Sequence, residues 1–211
     1  MGTIRNILSA NRVIPVVTLD RIEDTIPVCE ALLEGGILAI EITLRTKIAL
    51  KALHKAAHSF PELFVGAGTI VKAEQVLQVV DLGAQFGVSP GSTSAILEAA
   101  EESKLPFLPG GATVSEFMAL SEQGFNIVKF FPAAQSGGLD FLRSVSSPLT
   151  QIEFCPTGGI NARNVPEYLE LHNVIAVGGS WFVSPEHIRR KAWDEIRLAA
   201  SNLSAKFGQS P

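Results

Sequence analysis

The sequence predicts an α/β protein, a parallel (β/α)8 or TIM barrel, in one domain spanning residues 1–211 with an N-terminal helix, and three observations predict it. Apolar runs rich in Val, Ile, Phe and Leu recur roughly every 20 to 30 residues, with helix-patterned segments between them. There are eight such runs, and none is so much more hydrophobic than the others as to mark the centre of an open sheet. Polar, Gly and Pro residues gather at the C-terminal end of nearly every run, and no linker or low-complexity tract divides the chain. Alternation of this kind makes a parallel sheet with right-handed crossovers. At 211 residues the chain is short, since such barrels typically take about 250 residues; the loops must be tight.

Taken in order, the strands are expected at 13–19, 38–43, 63–66, 85–89, 106–108, 126–131, 152–155 and 174–177. Helices are expected at 21–33, 47–59, 72–82, 94–102, 113–123 and 164–171, with one last helix from 185 to 207. Thr113 with Glu116 has the Thr-x-x-Glu spacing of a capping box. Gly35-Gly36 and Gly124 sit where helices would end.

Composition narrows the functional classes. Hydrophobic residues make up 46% and charged residues 18%, enough for a closed core. No apolar run reaches the roughly 18 residues of a membrane span, so no membrane association is expected. Residues 1–10 lack the apolar stretch of an export signal. The net charge of −4 argues against nucleic acid as a partner. It leaves room for a local anion site built from backbone N–H groups. Two cysteines, Cys29 and Cys155, are too few for a disulfide framework and read as free thiols in a reducing, cytoplasmic setting. His54 and His58 stand i, i+4 but lack an acidic partner, so they read as a solvated helix face, and no metal site is expected.

The chemistry gathers at the strand ends, where a barrel of this kind carries its active site. Of eight lysines, seven lie in stretches that read as exposed; Lys129 alone sits within an apolar strand, Ile127-Val128-Lys129-Phe130-Phe131. A charged ammonium there costs several kcal/mol unless paired or neutral. Burial favours the neutral amine, the nucleophile that a Schiff base requires. Two readings fit at this point, a nucleophilic lysine and a buried ion pair. Glu41 is a second charge in an apolar strand, suited to proton transfer or to pairing with Arg45 or Lys129. Arg45 begins the following loop and can clamp a carboxylate in bidentate fashion. Thr69 follows Gly66-Ala67-Gly68, read as a turn that lets backbone approach a ligand; its hydroxyl can join Arg45. Thr157-Gly158-Gly159 and Gly178-Gly179-Ser180 end the last two strands, the usual phosphate site of this fold. Cys155, Trp181 and Phe182 read as packing.

These motifs together resemble a known family. Glu41-Ile-Thr-Leu-Arg45-Thr, Gly66-Ala-Gly-Thr69, Ser89-Pro90-Gly91, Val128-Lys129-Phe-Phe-Pro-Ala133, Phe154-Cys-Pro-Thr-Gly-Gly-Ile160 and Gly178-Gly-Ser-Trp181 look like those of the bacterial 2-keto-3-deoxy-6-phosphogluconate aldolases of the Entner–Doudoroff pathway. The resemblance runs in order from about Val13 to Trp181, and the combination is specific where each piece alone is not. It implies a class I aldolase, a lyase that cleaves the phosphorylated keto-deoxy sugar acid to pyruvate and D-glyceraldehyde 3-phosphate. It implies Lys129 as the Schiff-base lysine and Glu41 as the proton-transfer residue. Arg45, Thr69 and Lys129 would contact the pyruvyl portion, Gly158, Gly159, Gly179 and Ser180 the phosphate. Pro90, Phe131 and Thr157 complete the implied substrate-binding set. The family implies a homotrimer and no cofactor or metal. A 4-hydroxy-2-oxoglutarate aldolase side activity goes with it. The same chemistry on the galactonate epimer, a phosphosugar isomerase or epimerase with Glu41 as base, and a non-catalytic phosphosugar-binding barrel are the alternatives the residues leave open.

Overall fold

The computed structural model describes residues 3–208. Strands β1 (Val13–Val17), β2 (Ala39–Thr43), β3 (Phe64–Gly68), β4 (Phe86–Val88) and β5 (Phe107–Leu108) pair in parallel, one neighbour to the next. β6 (Gly110–Gly111), β7 (Ile127–Phe130) and β8 (Glu153–Pro156) form a second parallel set. β9 (Val177–Gly179) pairs with β1 and is bridged to the β8 stave at Phe154–Val174 and Thr157–Gly178. β5 and β6 are two halves of one stave. Pro109 stands between them and has no N–H to donate, while its carbonyl accepts from the Lys129 N–H at 2.8 Å. The staves therefore number eight and close a barrel, as the recurring apolar runs predict.

Strand alternation sorts the side chains into two cores. Ile14, Ala39, Phe86, Val88, Leu108, Ile127 and Cys155 fill the interior. Val13, Ile40, Ile42, Val65, Ala67, Val128, Phe130 and Phe154 face the surrounding helices. The even-and-odd split places Glu41 and Lys129 inside, because each lies two residues from an interior neighbour, Ala39 and Ile127.

Helix α1 (Ile4–Asn11) plugs the N-terminal end of the barrel. Ile7 and Leu8, each 1% exposed, pack into the interior core. The Asn11 side chain donates to the Gly36 carbonyl and accepts from the Leu38 N–H, both at 2.7 Å. The Arg12 guanidinium donates to the carbonyls of Leu169, Val174 and Ile175. This helix closes the floor of the barrel, opposite the C-terminal strand ends.

The outer helices follow the expected order: α2 (Thr25–Glu34), α3 (Ala49–Ser59), α4 (Ala73–Asp81), α5 (Ser94–Glu102) and α6 (Val114–Glu122). Next come α7 (Gly138–Val145) and α8 (Val165–Leu169). Gly36 and Gly124 carry the positive φ angles, 79° and 86°, that end the helices before them. Four expectations need correction. The last helix is two, α9 (Pro185–Arg189) and α10 (Trp193–Phe207), because Lys191 turns left-handed at φ 54° between them. α7 lies in a stretch that shows no helix in the sequence reading, since its start, Gly137-Gly138, carries turn signals and positive φ angles of 103° and 54°. The final strand falls at Val177–Gly179, later than 174–177, because its partner in β1 begins at Val13. Finally, α2 is preceded by a 3-10 turn, Ile22–Asp24, rather than beginning at residue 21. No helix among the described residues is long and apolar enough to cross a membrane.

The capping box at α6 forms as its spacing predicts. Glu116 Oε2 accepts from the N–H groups of Ala112 and Thr113 at 2.9 and 2.8 Å, and the Thr113 hydroxyl accepts from the Glu116 N–H at 3.3 Å. Those backbone donors, Ala112 foremost, hold the Glu116 carboxyl below its ordinary pKa. A depressed folded-state pKa stabilises above the unfolded-state value and is lost as the pH falls through the folded-state one. Glu116→Ala should therefore cost about 1 kcal/mol near pH 7. The gap from wild type should shrink on acidification below the carboxylate range, read by urea unfolding at each pH.

Candidate active site

Lys129 and Glu41 meet inside the barrel. Lys129 on β7 is 4% exposed and Glu41 on β2 is 3% exposed, and Lys129 Nζ stands 3.3 Å from Glu41 Oε1. The buried-ion-pair reading of these residues is thus observed, and it is also the arrangement that proton transfer between them needs. A buried pair of this kind is costly to break: removing one partner strands the other and typically costs about 3–5 kcal/mol. The Phe131 ring centroid lies 5.5 Å from Nζ, within range of a cation–π contact.

The neighbouring staves supply the rest of the wall. Cys155 pairs in register with Lys129 on β8 and belongs to the interior core. Burial pushes its thiol up to about 12, with Lys129 pulling the other way. Thr43, two residues beyond Glu41 on the same face, is fully buried; its hydroxyl lies 3.1 Å from the Val17 carbonyl and 2.8 Å from the Thr18 hydroxyl. This pair ties the mouth ends of β1 and β2 together, and the sequence reading missed it. The signal was present, a hydroxyl at i+2 from a buried carboxylate on a strand.

Arg45 and Thr69 come together at the mouth. Arg45 Nε donates to Thr69 Oγ1 at 3.0 Å. Thr69 has φ 62°, a left-handed conformation rare for a β-branched residue and of the strained kind that clusters at functional sites. The hydrogen bonds Leu44 N–H to Gly68 O and Ile70 N–H to Val88 O hold the backbone on either side of it. With Nε engaged, the two terminal nitrogens of Arg45 are left to face a ligand.

The reading of Gly66-Ala67-Gly68 as a ligand-facing turn is corrected. The segment is strand β3, and its glycines make room for side chains of this chain, Phe86 at Gly66 and Glu41 at Gly68.

The two Gly-Gly loops differ. Gly158 and Gly159 have φ 96° and 81°. Their carbonyls are fixed by the Ala134 N–H on Gly158 O and the Asn161 and Asn164 side chains on Gly159 O. Among the described residues, the N–H groups of Gly159 and Ser180 donate to no protein acceptor, while the bridge between Thr157 and Gly178 turns the Gly158 N–H toward the Gly178 carbonyl. Gly158 borders Phe131 and Pro132, so this loop adjoins the lysine's own strand. Gly179 is buried under the Trp181 ring, which could not lie there over any side chain. Trp181 and Phe182 pack edge to face, as the packing assignment expects. Thr157 is buried opposite Gly178, and Pro90 is half-buried with its backbone against Gly110.

The discounted residues sit apart. His54 and His58 lie exposed on α3, and among the described residues no group of three or more His, Cys, Asp or Glu stands close enough to hold a metal ion. A cavity of the molecule lies elsewhere too. Lined by Ile7, Phe64, Ala84, Leu105 and Pro106, it is beside α1 at the closed end. The Lys129–Glu41 pair lies instead toward the C-terminal strand ends, where Arg45, Gly159 and Ser180 are exposed.

Comparison with known proteins agrees with this geometry. The family model described as KDPG and KHG aldolase matches residues 4–199. The KHG/KDPG aldolase of Escherichia coli K12 is 41% identical over 195 residues, 92% of each chain. The structure of KDPG aldolase from Legionella pneumophila, with pyruvate captured at low pH as a covalent carbinolamine intermediate, superposes with a TM-score of 0.94 at 44% identity. It covers 96% of this chain and 98% of its own. The 2-keto-3-deoxy-6-phosphogluconate aldolase of Zymomonas mobilis ZM4 with 3-phosphoglycerate gives 0.90 at 37% identity, over 98% and 97%.

Both cysteines are buried and free, and burial raises the thiols of Cys29 and Cys155 to about 12. The thiolate is the reactive form, so at pH 8 neither should react with a disulfide exchange reagent in the folded protein. Both should react after denaturation; rapid labelling of the native protein would contradict this burial.

Proposed function

The chain belongs to the KDPG and KHG aldolase family, and on that footing we propose that Lys129 is its Schiff-base lysine and Glu41 its proton-transfer residue. The enzyme is a class I aldolase, a lyase that cleaves 2-dehydro-3-deoxy-6-phosphogluconate into pyruvate and D-glyceraldehyde 3-phosphate. The observation that carries the residue assignment is the 3.3 Å approach of Lys129 Nζ to Glu41 in a buried setting.

The steps follow from that contact. Glu41 takes a proton from Lys129, and the freed amine adds to C2 of the substrate. The amine proton passes to the former carbonyl oxygen, giving a carbinolamine. Glu41 returns its proton to that hydroxyl, which leaves as water, and a protonated imine remains. Glu41, again a carboxylate, takes the proton of the C4 hydroxyl. The C3–C4 bond breaks, its electron pair flowing into the imine, and glyceraldehyde 3-phosphate departs. Glu41 then protonates C3 of the enamine. Water adds at C2, and collapse of the carbinolamine frees pyruvate and restores the ion pair. One carboxylate can serve these transfers because the protons it takes and gives lie on C3 or on the oxygens of C2 and C4, neighbouring positions along the substrate beside the lysine nitrogen.

The remaining proposed roles divide by charge. The two terminal nitrogens of Arg45 are suited to fork onto the substrate carboxylate, with Thr69 fixing the guanidinium through Nε. The N–H groups of Gly159 and Ser180 suit the phosphate, joined by Gly158, Gly179 and the Ser180 hydroxyl. Pro90, Phe131 and Thr157 line the space between, Phe131 nearest the lysine. Holding both ends of the substrate aligns the C3–C4 bond with the imine. A carboxylate on C4 in place of the whole C5–C6 phosphate arm gives 4-hydroxy-2-oxoglutarate, which we assign as a second substrate. Assembly as a homotrimer in the cytoplasm is proposed from the family resemblance.

Borohydride reduction in the presence of pyruvate tests the assignment. The wild type should gain the mass of a reduced pyruvyl group on the peptide holding Lys129, and Lys129→Arg should gain none. An adduct on another lysine would remove Lys129 from the mechanism.

A further inference from the structure

Resting on the role just proposed for Glu41, we infer that Gly68 and Phe86 are positioning residues that aim the Glu41 carboxylate at Lys129. Phe64, Gly66 and Gly68 share the interior face of β3, since Val65 and Ala67 point outward into the helix-facing core. β3 thus sends no side chain into the barrel at the level of the reactive pair, and its neighbours fill the space. Gly66 stands directly across from Glu41 in register, and the fully buried Phe86 ring of β4 occupies the position a Cβ on Gly66 would take. The straight path from Glu41 across to β3 is therefore filled. The carboxylate leans instead toward the strand's C-terminal end, where a Cβ on Gly68 would collide with Oε1, Cγ and Cδ of Glu41.

Hydrogen bonding alone does not set this orientation. Among the described residues, Lys129 is the one hydrogen-bond partner of Glu41. The nearby Thr43 hydroxyl is committed to Val17 and Thr18. Once Lys129 is covalently bound to substrate, that single tether changes, and the shape of the β3 wall is what keeps the carboxylate facing C3 and C4. Gly68 has no positive φ, so its backbone admits alanine, and the three atoms nearest the added methyl all belong to the Glu41 side chain.

The test compares Gly68→Ala, Glu41→Gln and the double variant by two readouts: borohydride trapping at saturating pyruvate, and exchange of the pyruvate methyl protons in D2O. Gly68→Ala should form the trapped adduct to the wild-type extent while exchange slows by about 100-fold or more, the scale of a lost general acid–base group. Because Gly68 acts through Glu41, adding Gly68→Ala to Glu41→Gln should slow exchange no further, beyond the roughly twofold scatter of independent sites. Exchange in Gly68→Ala within about threefold of wild type overturns this inference alone, as does a double variant slowed by the full product of the single effects. Wild-type exchange in Glu41→Gln overturns the role of Glu41 as well. Should Gly68→Ala not accumulate as folded protein, Glu41→Ala and Glu41→Ala/Gly68→Ala decide the matter. Removing the carboxylate opens the space, so the two should share one melting temperature, and a much lower value for the double variant overturns the inference.

Discussion

A lysine and a glutamate buried at 4% and 3% exposure, 3.3 Å apart in the wall of a closed barrel, set the terms for the rest of the molecule. Neither charge would persist there alone, because the interior desolvates both. Their pairing supports each and also makes a proton exchange within the pair short and direct. In the proposed mechanism, exchange in one direction releases the amine and in the other restores the resting ion pair. Stability and chemistry in that mechanism draw on the same contact.

The surrounding architecture serves that contact at several removes. α1 closes the floor with Ile7, Leu8, Asn11 and Arg12, at the end of the barrel away from Arg45 and Thr69. Glycines at 66, 68, 110 and 178 take the interior positions where the side chain or backbone of an adjoining stave must enter. The interior is filled by a few large residues leaning across from neighbouring staves, which leaves the polar groups fixed in orientation. At the rim, Arg45 is held by a strained Thr69, and the carbonyls of the Gly158-Gly159 turn are tied down, Gly158 by the Ala134 N–H and Gly159 by the Asn161 and Asn164 side chains. These are the two sides of the rim to which the proposed function assigns the two ends of an anionic substrate.

Much of this was legible in the amino-acid order. Lys129 and Glu41 stood out because a charge inside an apolar strand needs a reason, and the two strands had to converge if eight staves closed. Arg45 with Thr69, and Gly158 with Gly159, were legible from their places at strand ends. The remainder depended on neighbours that are distant in sequence. The role of Gly68 is to leave a void for Glu41, 27 positions earlier in the numbering, and no local pattern records what fills a void. Helix α7 was hidden behind Gly137-Gly138, whose turn signature outweighs the eight helical residues that begin there. The break in the last helix rests on a left-handed Lys191, a conformation that tertiary packing selects against local preference. The division of one stave at Pro109 follows from a missing donor but shows only once Lys129 takes up its carbonyl.

The most direct measurement of the central contact is a crystal structure of the protein soaked with pyruvate and determined at high resolution. It should show continuous density from Lys129 Nζ to C2 of pyruvate, with the Glu41 carboxylate turned from the ammonium toward C3 and the pyruvyl carboxylate on Arg45. Pyruvate held without a bond to Nζ, beside an unbroken Lys129–Glu41 ion pair, would contradict the account.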